Sequence, residues 1–217
     1  MLVEEVTHFF THVEKHFLRT SLDFILHPGR ASHNFLIGKR KNYQKPVSYF
    51  LIWTGIFILC HNLIIGQFHY EYTISHTSQS PEMAEANLFL RKNFTFMMLP
   101  LLFISAAVIW LVMARPRFYF IEMVVLALYG GGTYFILNLL SDILLGVIIG
   151  ININHINVFI WQTILSALYN FWFTYDFFHR FTIRLFWLRM FLTAAFIAVS
   201  GKIFMDYAPL FWLYFTR

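Results

Sequence analysis

The residues of this sequence that could do chemistry are a few polar side chains set within long apolar runs. Ionisable groups are costly to bury inside a membrane, and those found there are candidates for function by default. Such groups could converge on a polar cavity, or they could form separate hydrogen bonds between helices. The candidates for an intramembrane polar site are His61, Glu122, Asn138, Asn170, Lys202 and Asp206.

Three of these candidates have nearby charges that offer a structural role. Glu122 follows Arg115 and Arg117 closely in the sequence, which favours a salt bridge near the end of a helix. Lys202 and Asp206 are four residues apart and could pair on one face of a helix. The sequence does not decide between these pairings and a shared site.

Metal and cofactor chemistry is not indicated. His8, His12 and His16 would line one side of a helix, and two histidines at that spacing can bind a metal ion. No third type of ligand converges with them, so we expect no metal site and no cofactor. Cys60 is the single cysteine, which excludes an intrachain disulfide. We find no hydrolase nucleophile motif and no phosphate-binding glycine loop.

The composition sets the environment of these side chains. Of the 217 residues, 59% are hydrophobic and only 12% are charged, whereas soluble domains carry about 25% charged residues. Aromatic residues make up 20% of the chain, and they serve both as lipid-facing bulk and as anchors at the membrane surface. The composition therefore predicts an all-α membrane protein rather than a soluble domain.

The apolar runs divide the chain into two parts. Residues 1–46 are expected to form a cytoplasmic segment, in which an amphipathic helix over 1–26 lies in the membrane interface and His27-Pro28-Gly29 ends it. Residues 47–217 are expected to form a transmembrane bundle, because five runs approach the roughly 20 residues that a bilayer core requires. These predicted spans are 47–66, 94–114, 118–140, 156–175 and 187–208. A loop or short re-entrant segment is expected over 146–157.

The positions of Lys and Arg predict the orientation. Twelve of the sixteen lie in segment 1–46, in the turns after the second and fourth spans, or at the start of the fifth span, where Arg189 lies. Because cytoplasmic loops carry the excess of Lys and Arg, we expect a cytoplasmic amino terminus. With five spans, the carboxyl terminus would lie on the opposite side.

Two further patterns concern contacts. The basic block Lys39, Arg40, Lys41 and Lys45 directly precedes the first span, which indicates contact with anionic lipid headgroups or with a partner. The glycine triplet Gly130, Gly131 and Gly132 lies in the middle of the third span. It would let helices approach closely, or it would act as a hinge.

Four blocks of the sequence form a recognisable pattern: Leu26–Gly29, Gly38–Tyr43 and Lys45–Pro46 before the first span, and Ala114–Tyr129 around the third. Together they resemble a family of small bacterial membrane proteins of unknown function, common in the Bacteroidetes group. Met123 stands where the family pattern usually has histidine. The zinc-ribbon extension of many members is absent here. The resemblance implies a location in the bacterial inner membrane and supplies no activity.

The sequence leaves three hypotheses about function. The first is a non-enzymatic accessory component that binds lipids, another membrane protein or further copies of itself. The second is a small transporter or lipid-translocating protein that works as an oligomer. The third is an intramembrane enzyme that modifies lipids, with Glu122, Asp176 and nearby arginines at the cytoplasmic boundary. Nucleic-acid binding is not expected, because the basic residues belong to segments at the membrane edge.

Overall fold

The computed structural model describes residues 16–69, 89, 94–153 and 155–216. The described residues form seven α-helices and no β-strand. The helices are α1 (16–26), α2 (Pro28–Leu36), α3 (Pro46–Phe68), α4 (Phe94–Ile109), α5 (Phe120–Asp142), α6 (Ile156–Phe178) and α7 (Phe186–Thr216). A short 3₁₀ turn, Arg40–Asn42, separates α2 from α3.

Two helical segments are long and apolar enough to cross a membrane, judged by length and composition. They are 40–68 and 120–148, each 29 residues long, with mean hydropathy of 1.8 and 1.7. Shorter apolar segments lie at 99–114 and 186–197. The prediction of an all-helical fold is confirmed for the described residues, and every predicted span coincides with a helix. Two of the described helices meet the length and composition that a span requires.

Local sequence explains where the helices begin and end. Proline is the first residue of both α2 and α3, where its missing N–H costs nothing and its fixed φ suits a helix. His27-Pro28-Gly29 therefore ends α1 and starts α2 at the same point. The carboxylate of Glu122 accepts a hydrogen bond from the backbone N–H of Tyr119 and so caps the start of α5.

Two helices end in π-helical turns, at Trp110–Ala114 and Ile143–Ile148. The second corrects the prediction of a loop from residue 146, because helical structure continues to Ile148. Residues 143–149 are almost entirely apolar, so they extend the apolar helix by more than a turn. The chain leaves it near Gly150, which has a positive φ of 78°.

Helix α5 lies at the centre of the bundle and packs against α3, α4 and α6. Its glycine triplet lies within continuous helix. A Cβ at Gly132 would stand 2.5 Å from Cε1 of Tyr49, and one at Gly131 would stand 3.0 Å from Leu102 Cδ1. The first distance is shorter than packed carbon atoms allow and the second is tight, so side chains of α3 and α4 pack directly against the backbone of α5 at these glycines.

The predicted amphipathic helix over 1–26 is described only from residue 16, and its packing there differs from the expected arrangement. We expected its Phe side to lie in lipid, but Phe17 and Phe24 are buried in the bundle core. The ring of Phe24 stacks on Tyr129 of α5 at 4.1 Å between centroids. The outward face of α1 instead exposes the apolar residues Leu18, Leu22 and Leu26. An apolar periodicity in the sequence cannot distinguish a lipid-facing side from a protein-facing side.

Candidate functional site

The most concentrated polar chemistry in the described bundle is a network of His61, Asp142 and Gln162. Nδ1 of His61 lies 2.7 Å from Oδ2 of Asp142. Nε2 of Gln162 donates to the other carboxylate oxygen, Oδ1, also at 2.7 Å. The Asp142 side chain is fully buried, whereas that of His61 is 24% exposed. Each oxygen of this buried carboxylate thus has its own partner.

Three helices supply the network. His61 lies in the last third of α3, Asp142 is the final residue of α5, and Gln162 lies in the first turns of α6. The ring of Phe57, one turn earlier on α3, stacks on the His61 ring at 5.2 Å. This stacking and the carboxylate together fix the orientation of the imidazole. Asp142 therefore connects its own helix to His61, 81 residues earlier in the chain, and to Gln162, 20 residues later.

The network continues along α6 through shorter-range bonds. The Ser166 hydroxyl donates to the backbone carbonyl of Gln162 at 2.6 Å. Asn138 donates to the backbone carbonyl of Tyr134 at 2.8 Å and lies 3.5 Å from Ser166 Oγ. These contacts place a line of polar groups between α5 and α6, and most of them are bonded within the protein.

Of the six predicted members of an intramembrane site, the four whose side chains the structure describes do not converge. His61 and Asn138 both belong to the network around α5. Glu122 caps the opposite end of α5, about 30 Å from Asp142 at a rise of 1.5 Å per residue. Asn170 is exposed and bonds to the carbonyl of Ser166 in its own helix. The side chains of Lys202 and Asp206 lie outside the described residues.

Sequence reasoning missed both Asp142 and Gln162 as members of this site. Asp142 was assigned to an outer loop, because the predicted third span ended at residue 140. The run of apolar residues over 143–149 was the signal that the helix continues past the aspartate. Gln162 lies in a predicted span and is uncharged, so nothing in the sequence distinguished it from an ordinary interhelical contact.

At the other end of the bundle, hydrogen bonds from distant residues fix α1, α2 and the segment that leads to α3. We call residues 16–45 the amino-terminal hairpin. The Tyr169 hydroxyl donates to the Phe24 carbonyl at 2.9 Å, and the Tyr129 hydroxyl donates to the Gln44 carbonyl at 2.6 Å. Trp53 Nε1 donates to Ser21 Oγ at 3.0 Å. Helices α1 and α2 are therefore part of the bundle and not a separate attachment.

Helix α2 meets α6 at the closest backbone contact of the hairpin. The Gly29 N–H donates to Oδ2 of Asp176 at 2.7 Å, and Asp176 also pairs with Arg180 at 3.5 Å. A Cβ on Gly29 would lie 2.2 Å from the backbone carbon and oxygen of Asp176. Asp176, suggested by the sequence as part of a boundary site, therefore caps α2 here.

The predicted basic block lies on and beside the 3₁₀ turn. Lys39, Arg40, Lys41 and Lys45 are all exposed. The guanidinium carbon of Arg40 lies 5.5 Å from the centroid of the Phe35 ring, a cation–π distance. All four residues are therefore accessible to a ligand or partner.

Metal binding has no geometric support in the described part of the chain, where no three His, Cys, Asp or Glu side chains come together. Of the three histidines at helical spacing, His8 and His12 lie outside the described residues. His16 is exposed on α1.

Comparison with known proteins connects the hairpin to a family. Residues 14–58 match the model of a protein family of unknown function, DUF3667. The match includes α1, α2, the basic block and the first half of α3. It covers much less than half of the chain, so it is a similarity confined to this region. Searches of curated proteins and of solved structures found no match.

Proposed function

We propose that this chain is a five-span membrane protein that works as a non-enzymatic binding component. The spans would be α3 to α7, each of which coincides with an apolar run long enough to approach the bilayer core. Two of them have the length and composition of a span in isolation. Helix α6 carries more polar residues, and several of these bond within the bundle, which lowers their cost in lipid.

The proposed orientation puts the hairpin and the turns after α4 and α6 in the cytoplasm. Arginines and lysines concentrate in these segments, as the positive-inside rule requires. The family resemblance of the hairpin supports the inner membrane of a bacterium as the location. The network of His61, Asp142 and Gln162 would then lie toward the outer side.

The main support for a binding role comes from the partners of the acidic side chains. Asp23 pairs with Arg19, and Glu122 and Asp176 cap helices. Asp142 joins three helices. These are all the acids whose side chains the structure describes, and each of them has a partner within the protein. The exposed charges that remain at the proposed cytoplasmic end are mostly positive, which suits an anionic partner.

The partner would be anionic lipid, an acidic surface of another membrane protein, or a further copy of this chain. The basic block and the neighbouring cationic turns would form the contact surface. A binding role of this kind requires a rigid platform, and the hydrogen bonds from Tyr129, Tyr169 and Trp53 supply that rigidity.

Site-specific photocrosslinking in living cells tests the binding role. A photoreactive amino acid at Lys41 is expected to give at least one discrete crosslinked protein band, because this position faces the proposed partner. The same amino acid at Leu63, which is 69% exposed on α3, serves as the matched control and is expected to label lipid. Labelling of lipid alone at Lys41 would leave only the lipid form of the proposal. The absence of any adduct at Lys41 would contradict it.

A further inference from the structure

Three distant segments meet at the proposed cytoplasmic end around the ring of Phe181. We call His33, Arg117, Phe181 and Thr182 the Phe181 cluster. His33 comes from α2, Arg117 from the turn between α4 and α5, and the other two from the turn between α6 and α7. The cluster is separate from the basic block before α3.

The geometry of the cluster orients a guanidinium group. Arg117 lies with its guanidinium carbon 5.9 Å from the centroid of the Phe181 ring, and its Nη2 donates to Oγ1 of Thr182 at 3.3 Å. The His33 ring meets the same phenylalanine at 6.2 Å. Phe181 is itself held by edge-on contact with Phe118 at 5.2 Å. A packed aromatic ring therefore sets the position of two groups that can bind an anion.

Donors for an anion remain available in this arrangement. Arg117 has five N–H donors. Among the described residues they form one hydrogen bond, to Thr182. Since the Thr182 oxygen accepts that bond, its own hydroxyl proton is free to be donated. Together with a His33 ring nitrogen, these are donors of the kinds that bind phosphate oxygens, and arginine can bind a phosphate with two parallel hydrogen bonds.

The arginines near the cluster in sequence outnumber the two described acids there, Glu122 and Asp176. Asp176 is the acid nearest to Phe181 in sequence, and its carboxylate is bound to the Gly29 N–H and to Arg180. Arg30 and Arg184, near the cluster in sequence, are exposed and add positive charge. A negatively charged ligand is therefore favoured at this position.

Exposed apolar side chains that lie near the cluster in sequence favour a lipid over a free phosphate as the ligand. Tyr119 and Ile121, which follow Arg117, are 79% and 65% exposed. Leu185 and Trp187, which follow Thr182, are 63% and 57% exposed. A phosphate held by the cluster would have exposed apolar and aromatic side chains beside it, as the acyl chains of a phospholipid require.

We propose that the Phe181 cluster binds the phosphate of one anionic phospholipid at the cytoplasmic surface of the membrane. The proposal rests on the proposed membrane location and adds a defined lipid site to it. The phosphate would accept hydrogen bonds from Arg117, Thr182 and His33. The acyl chains would lie along the exposed starts of α5 and α7.

Native mass spectrometry of the full chain tests the lipid site. The protein is purified in mild detergent and exchanged into micelles that contain equal amounts of phosphatidylglycerol and phosphatidylcholine. We expect the wild type to retain one phosphatidylglycerol in clear preference to phosphatidylcholine. Arg117→Gln is expected to weaken this retention about tenfold, the effect of losing one charge-assisted phosphate contact.

The control variant is Arg19→Gln, which removes the same charge from α1, outside the cluster. It should change retention less than twofold, and both variants should keep the wild-type helical circular dichroism. Arg117→Lys keeps the charge but loses the paired geometry, and it should give an intermediate loss. Equal effects of Arg19→Gln and Arg117→Gln would overturn the site and leave general electrostatic attraction.

Two further results separate the possible failures. Displacement of the lipid by millimolar inorganic phosphate would overturn the lipid assignment in favour of a free anion. If the wild type needs detergent but retains both lipids equally, the lipid site fails and the membrane proposal stands. If the protein stays dissolved without detergent, the membrane proposal itself fails.

Discussion

Replacing Asp142 with alanine is expected to lower the free energy of unfolding by about 2–4 kcal/mol. The substitution removes a fully buried carboxylate and leaves both His61 and Gln162 without their partner. Single interhelical hydrogen bonds in membrane bundles contribute less than this, about 0.6 kcal/mol on average. The larger value follows because one side chain joins three helices. Equilibrium unfolding in mixed detergent micelles, followed by circular dichroism, measures the change.

Leu140→Ala provides the control for this substitution. Leu140 lies two residues away on the same helix and is 55% exposed, so its truncation should cost less than about 1 kcal/mol. Asp142→Asn keeps one oxygen acceptor and should cost less than Asp142→Ala. Equal stability of Asp142→Ala and Leu140→Ala would show that the network does not hold the helices together. A stable Asp142→Asn protein that loses its cellular role would instead indicate transport or other chemistry at His61.

Replacing Gly29 with alanine is expected to cost about 2–4 kcal/mol in the same unfolding experiment. The added Cβ would lie 2.2 Å from backbone atoms of Asp176. A backbone cannot rotate away as a side chain can, so α2 must shift and the Gly29–Asp176 hydrogen bond is lost. Limited trypsin digestion adds a local measurement, because the neighbouring Arg30 should be cleaved faster once α2 detaches.

Gly55→Ala is the matched control, since it makes the same chemical change in the middle of α3. A Cβ at Gly55 meets nothing within 4 Å. Alanine is the better helix former, so we expect no loss and a gain of up to about 1 kcal/mol. If the two alanine variants had the same stability and the same cleavage at Arg30, the close contact between α2 and α6 would be wrong.

The helices of this chain could be predicted from its sequence because apolar runs of span length leave few alternatives. Pro28 and Pro46 also stand at the first position of α2 and α3, where the fixed φ of proline suits a helix start. The end of α5 was predicted too early, since the predicted third span stopped at residue 140 and helical structure continues to Ile148. In the bundle, Asp142 is compatible with helix since its charge is bonded to residues from two other helices.

Tertiary contacts could not be predicted in the same way. Phe17 and Phe24 give the same periodicity whether they face lipid or protein, and only the packing against Tyr129 and Trp53 decides between the two. Glu122 was expected to pair with Arg115 or Arg117, but it caps its own helix. Partners such as Asp176 and Gly29 are 147 residues apart, and nothing in either local sequence indicates the other.

The proposed function depends on the side of the membrane on which each turn lies. Cysteine labelling tests it most directly, with Cys60→Ser as the background and single cysteines introduced as Asn157→Cys and Thr182→Cys. Both positions are exposed. With a membrane-impermeant maleimide on spheroplasts, we expect Asn157→Cys to react at once and Thr182→Cys to react only after the membrane is permeabilised. Immediate reaction of Thr182→Cys on intact spheroplasts would contradict the proposed orientation.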